Sequence, residues 1–231
     1  MSLKNIKIAL ITSQLFLIGS AYGSITMSIE FGELTTSNSV TIPGGTLWAL
    51  ISANSSGNLP GGLLINGALS LDHDKQSIID DFSGRTIATG ESIGGGVVFA
   101  VGSSSNSVPG DIGSTVEFDI SDFSGLGLAA GDQFGLYWFP GRTINSNLIP
   151  VDGDFEIGGF HRTTANVASG GNQGMNIPTD GIAVTFAYFD NNITNGASGI
   201  DQVNFQAIMI PEPSSLLMLS ASVFFALFRR R

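Results

Sequence analysis

Between residues 24 and 210 the sequence is written in a period of two, and that spacing restricts most of the chain to strands. Ile25-Thr26-Met27-Ser28-Ile29-Glu30-Phe31 alternates apolar and polar residues without error. Val116, Phe118 and Ile120 oppose Thr115, Glu117 and Asp119, and Val203, Phe205, Ala207 and Met209 oppose Asn204 and Gln206. Successive side chains of a strand point to opposite faces, so each segment is expected to bury one face and wet the other. Further strands are expected over 46–52, 63–70, 85–89, 96–101, 133–139 and 182–189. No segment carries an apolar stripe at helical spacing over several turns; only Asp74 to Phe82 suits a short helix.

Proline and glycine set the turns. Four of the six prolines in this stretch precede glycine, at Pro43-Gly44, Pro60-Gly61, Pro109-Gly110 and Pro140-Gly141. That order suits a type II turn, in which proline fixes φ at the second position and glycine supplies positive φ at the third. Short strands separated by Gly, Asn, Ser and Pro predict an all-β fold, an antiparallel β-sandwich or jelly roll. The loop-like stretches 52–62 and 103–113 are short enough to lie inside one domain, and no fixed-period repeat divides the chain.

Charge narrows the partners. Residues 24–210 hold only Lys75, Arg85, Arg142 and Arg162 against 18 acidic residues, about -14 in a chain whose total is -10. A nucleic-acid groove needs Lys and Arg to displace counterions from phosphates, so nucleic acid is excluded as a partner. The chain has no cysteine, which excludes disulfides, thiolate metal sites, cysteine nucleophiles and lipid attachment through cysteine.

The two ends read differently from the middle. Residues 1–23 carry Lys4 and Lys7, an apolar stretch from Ile8 to Ile18 interrupted by Thr12, Ser13 and Gln14, then Gly19, Ser20, Ala21 and Gly23. A basic start, a short apolar region and a small-x-small site predict a secretory signal peptide, cut by signal peptidase after Gly23 or after Ala21. Residues 211–231 begin Pro211-Glu212-Pro213, continue through the apolar segment 214–228 and close on Arg229-Arg230-Arg231. As a helix this segment would span roughly 22 Å, short of the usual transmembrane length of about 17 to 25 residues by a small margin. Its flanks favour a membrane tether. Two prolines stop a helix from running back into the body, and the arginines anchor the far side in the cytoplasm. The body is then an ectodomain on a short transmembrane helix.

Pro-Glu-Pro, an apolar helix and an arginine cluster, in that order, resemble the PEP-CTERM sorting signal of exported proteins from Gram-negative bacteria that make exopolysaccharide. The resemblance covers residues 211–231. It implies that exosortase, a membrane transpeptidase-like enzyme, recognises Pro211, Glu212 and Pro213 and cuts nearby. The inner-membrane anchor would then be transient, and the body would pass to the cell surface, outer envelope or extracellular matrix. The segment departs from the family in having Phe224, Phe225 and Phe228 and no glycine, where members are often rich in Gly and Leu.

Several motifs invite a chemical reading. Gly90-Glu91-Ser92-Ile93-Gly94 matches the spelling of a nucleophile elbow, but a strand-like run follows instead of the helix that motif requires, so a hairpin is expected. Gly125 to Ala130 fits a loose dinucleotide pattern and fails in the same way. Two acidic groups offer hard oxygen ligands of the kind Ca²⁺ takes: Asp72, Asp74, Asp80 and Asp81, and Asp152, Asp154 and Glu156. The competing reading is solvated surface charge. His73 and His161 have no histidine or cysteine neighbour, which argues against zinc. No carboxylate pair is singled out for glycoside cleavage. Trp48 and Trp138 lie in apolar runs and are expected in the core. Tyr137 points to the other face of its strand and is the candidate glycan contact.

These readings predict an exported cell-envelope or extracellular-matrix protein without catalytic activity or cofactor, associated with exopolysaccharide or biofilm. The alternative is a carbohydrate-binding module or adhesin, calcium-dependent where the carboxylates take the metal.

Overall fold

The computed structural model describes residues 24–31, 34–107, 112–151, 154–163, 174–179, 183–188 and 206–211. The expected signal peptide (1–23) and the apolar segment with its arginines lie outside them. Strands β1 (Ser24–Phe31), β2 (Leu47–Ser52), β3 (Ser92–Ile93), β4 (Gly96–Ser103), β5 (Ile112–Asp119), β6 (Phe134–Phe139), β7 (Phe155–Phe160), β8 (Ala183–Tyr188) and β9 (Ile208–Ile210) dominate. Between them lie helices α1 (Lys75–Phe82) and α2 (Ile120–Gly125) and a 3-10 turn at Pro60–Gly62. Among the described residues no helix is long and apolar enough to cross a membrane.

Six strands pair antiparallel in the order β3-β4-β2-β6-β7-β9 and form a curled sheet, a half-barrel. The other three pair in the order β5-β1-β8. Here the expectation of a wholly antiparallel fold is corrected: β1 is antiparallel to β5 but parallel to β8. A parallel partner needs a long crossover, and most of the six-stranded sheet separates these two strands in sequence.

The central strands are buried on both faces. In β2, Trp48 and Leu50 join one apolar cluster while Leu47, Ala49 and Ile51 join another. In β6, Phe134, Leu136 and Trp138 face the first cluster and Tyr137 and Phe139 the second. Ile25, Met27, Ile29 and Phe31 of β1 complete the first cluster, with Phe31 edge-on to Phe160 at 6.1 Å. The second cluster is closed by α1, whose Ile78, Ile79 and Phe82 are buried, and by Leu59, Leu63 and Leu69. Phe82 packs on Tyr137 and Phe139 at ring separations of 5.4 and 5.9 Å.

One rung of the sheet fixes the positions of its largest side chains. Trp48 pairs directly with Trp138 across β2 and β6, Gly102 lies opposite Trp48, and Gly158 lies opposite Trp138. Each indole lies over the glycine on its outer side, and a Cβ there would fall inside the ring. Gly159, opposite Tyr137, leaves room in the same way for Leu69 and the phenol ring on the other face.

The turns follow the proline-glycine spelling in part. Pro140-Gly141 forms the expected type II turn, with Gly141 at φ +77° and Arg142 N–H donating to Phe139 O at 3.0 Å. At Pro43 the turn is displaced by one residue, since Gly45 holds φ +84° and Thr46 N–H donates to Pro43 O. Gly110 lies outside the described residues. Segments 63–70 and 85–89 are not strands and contribute one bridge each, Ala68 to Phe160 and Thr86 to Leu148. Ile120 opens α2 instead of continuing β5, and β7 appears where no strand is expected.

The glycine rung generates a prediction. Gly158→Ala forces the Trp138 indole out of its seat and is expected to cost about 2 kcal/mol, the usual scale of overpacking a dense core. Gly125→Ala, where a Cβ meets nothing within 4 Å, is expected to stay close to neutral. Urea unfolding of the two variants beside the native chain measures the difference.

Candidate functional site

The acidic run around α1 is occupied in building the helix. Asp74 is its N-cap, with Oδ1 accepting from Gln76 N–H at 3.0 Å and Oδ2 from Ser77 Oγ at 2.9 Å. Asp80 accepts from Gln76 Nε2 at 2.7 Å, one helical turn away. Asp81 accepts from Gly61 N–H at 2.6 Å and so ties the helix to the 3-10 turn. Asp72 is exposed in the turn before α1. Of the second group, Asp152 lies outside the described residues, Asp154 is exposed, and Glu156 accepts from both the N–H and Oγ of Ser37, at 3.2 and 2.9 Å. Among the described residues no group of three or more His, Asp or Glu side chains is arranged to hold a metal ion.

Tyr137 corrects the expectation of an exposed ring. It does face away from Trp138, yet its exposure is 0% because α1 and Leu63 to Leu69 cover that face. Its hydroxyl donates to Pro60 O at 2.9 Å. Burial, and secondarily the nearby Asp81 carboxylate, hold the phenol well above its ordinary pKa. Trp48 and Trp138 are buried in the core, and Trp138 Nε1 donates to Thr35 O at 3.2 Å. Every aromatic ring whose side chain is described is buried.

The two histidines remain apart in role. His73 Nδ1 accepts from Ser70 N–H at 3.0 Å, a local contact within a turn. His161 is fully buried at the end of β7; Nδ1–H donates to Phe134 O at 2.7 Å, and the buried Nε2 lone pair has no partner among the described residues. Burial lowers the His161 pKa below the ordinary imidazole value, opposed in part by the hydrogen bond to Phe134. Ser92 sits in the β3–β4 hairpin, whose turn residues Gly94 and Gly95 hold φ +57° and +80°, the signature of a type I′ turn. No helix follows it, so the elbow geometry is absent. Gly125 to Ala130 runs from the last residue of α2 toward β6, without the following helix that a pyrophosphate requires.

One concavity was not among the expected sites. A cleft of about 610 Å³ opens where β2 ends and β6 begins, lined by Asn54, Ser55, Gly95, Asp132 and Gln133. Asn54 Oδ1 accepts from Ser56 and Asn58 N–H, and Asp132 Oδ2 from Ala129 N–H. Its rim is polar and glycine-rich, which suits hydrogen bonding. The sequence signal for it is the loop-like stretch 52–62. At the opposite end of the sheet a smaller cavity of about 300 Å³ gathers Thr36, Arg142, Asp154, Glu156 and Met209. Pro211 follows β9 directly and is half-buried; Glu212, Pro213, Arg229, Arg230 and Arg231 lie outside the described residues.

Compared with known proteins, the chain matches no family model, no curated protein and no solved structure.

Two predictions follow from the buried titratable groups. The unfolded chain binds a proton at His161 more readily than the folded one. The stability that depends on neutral His161 is therefore present above about pH 6.5 and is lost as pH falls through that value toward the lower folded pKa. Thermal melts from about pH 7.5 to 5.5 should lose part of their slope in His161→Gln, and an unchanged slope would contradict this assignment. Tyr137→Phe leaves the buried Pro60 carbonyl without its donor and should cost about 1 to 2 kcal/mol in urea unfolding.

Proposed function

We propose that the chain is an exported envelope or extracellular-matrix protein without catalytic activity, carried out by its N-terminal signal and sorted through Pro211, Glu212 and Pro213. The three-stranded sheet packed on one face of the six-stranded sheet reads as a β-sandwich ectodomain. Exosortase is the proposed processing enzyme, and exopolysaccharide or biofilm the proposed surroundings. The observation that carries the reading is the order of Pro-Glu-Pro, apolar segment and arginine cluster, set directly after the last strand of the body. Ile210 is 0% exposed and pairs with Phe155, so the motif begins directly after a buried, paired residue.

The body's own chemistry supports a non-enzymatic role. Its carboxylates at Asp74, Asp81 and Glu156 are engaged by neighbouring N–H and hydroxyl groups. Carbohydrate binding is the less favoured reading, because sugar-binding sites draw much of their affinity from exposed rings and each described ring is in the core.

Sorting is testable in the full chain, expressed in a Gram-negative host with and without an exosortase. With the enzyme present, the native chain should lose its C-terminal segment and leave the inner membrane. A variant carrying Pro211→Ala, Glu212→Ala and Pro213→Ala should keep its full mass and stay behind. Equal processing of both chains would overturn the assignment.

A further inference from the structure

We infer that one end of the six-stranded sheet, around Val40, Ile144 and Met209, rests on the lipid surface while the anchor is in place. The inference rests on the tether reading proposed above and concerns how the body sits on that tether.

Strand pairing brings four segments to this end. Ile210, the last residue of β9, pairs with Phe155, the first of β7. Trp138 pairs with Gly158, so the Pro140-Gly141-Arg142 turn emerges at the same end. Leu47 pairs with Phe139, and its N–H donates to Arg142 O at 2.9 Å, so β2 begins there too. The fourth segment is a hairpin that advances from Thr35, level with Trp138, to Ser37 on Glu156, turns through Asn38 and Ser39, and returns with Val40 beside Thr36. At the rim Val40 is 61% exposed, Ile144 49% and Met209 36%. Leu64 and Ile65 are exposed as well, but at the opposite end, beyond the Asn66 to Thr163 hydrogen bonds. Exposure alone does not choose between the two ends.

The exit of the chain chooses. From Pro211 to Ser214 the backbone reaches at most about 11 Å when fully extended. The headgroup layer on each side of a bilayer is roughly 5 to 8 Å thick, so an apolar segment starting at Ser214 brings the end of β9 to the headgroups. The shortness of that segment adds to this: roughly 22 Å of helix against about 30 Å of hydrocarbon draws the attached body toward the membrane. Charge does not drive the contact, because Arg142 shares the rim with Asp154 and Glu156. Apolar tips held at high local concentration by a short tether are sufficient, and a zwitterionic surface serves as well as an anionic one.

The absence of cysteine allows single labels. Val40→Cys, Ile144→Cys and Leu64→Cys, each in the full chain and carrying a small fluorophore, are reconstituted into phosphatidylcholine vesicles with and without doxyl-labelled lipid. Strands of this length separate the two ends by roughly 20 Å, beyond the depth an interfacial contact reaches. Labels at residues 40 and 144 should be quenched at least about twofold more than the label at 64. Vesicle flotation with equal quenching at all three positions overturns the inference and leaves the tether standing. A full chain that fails to float with the vesicles overturns the tether reading, and this inference falls with it.

Discussion

Trp48 and Trp138 face each other across the two central strands, and each indole lies on a glycine of the strand beyond. The rest of the body depends on this arrangement. An indole buries a large apolar area only where its neighbour leaves space, and Gly102 and Gly158 leave it on both sides of the same rung. On the other face Gly159 does the same beside Tyr137, so the sheet is packed densely on both surfaces around β2 and β6. Glycine within a strand also relaxes the backbone, which suits a sheet that must curl. The side chains of β1 can meet one surface and α1 the other because the middle of the sheet offers a filled, continuous floor.

The period of two is a local signal, and it reads local facts well. It identifies β1 and places Tyr137 and Trp138 on opposite faces, whereas β2, β4 and β6 are marked by short apolar runs. It carries no information on what covers a face. Phe134 to Phe139 contains no polar residue, which is the pattern of a strand buried on both sides, and that signal rather than alternation describes β6. Strand β7 escapes for the opposite reason. Its first half alternates acidic residues with Phe155 and Ile157 and resembles a ligand loop, and its second half, Gly158-Gly159, resembles a turn. The reason for those glycines lies on β6, twenty residues earlier in the chain, where Trp138 and Tyr137 need the space.

The acidic groups show the same division between local and distant information. Asp74 as a helix cap is legible from its place before Lys75-Gln76-Ser77. Asp81 holding Gly61 and Glu156 holding Ser37 are contacts over long sequence separations, invisible to spacing. Close acidic residues in a sequence suggest a shared cation, whereas here the fold gives them separate N–H and hydroxyl donors. Satisfying a carboxylate with N–H donors stabilises it without a metal, and the same bonds fix the turns that roof the second cluster. His161 shows this in a different form: one nitrogen is used and the other is buried without a partner among the described residues, so its neutral state is part of the packing.

Among the described residues β1 is the first strand and β9 the last. Strand β1 runs from Ser24, the residue after the expected signal-peptide cut, and β9 ends at Ile210, the residue before Pro211. Their outermost apolar side chains are already inside, Ile25 at 2% exposure and Ile210 at 0%. The two strands differ in position, however. β1 is the central strand of its sheet, paired along its whole length with β5, while β9 is an edge strand held through three residue pairs. A load applied through the N-terminus would meet the full β1–β5 register, and one applied through the C-terminus would first meet the three pairs with Phe155, Glu156 and Ile157 and then the contacts of Gln206 and Ala207 with Thr35. A tether of the kind proposed would therefore load an edge strand that pairs with β7 through three residues.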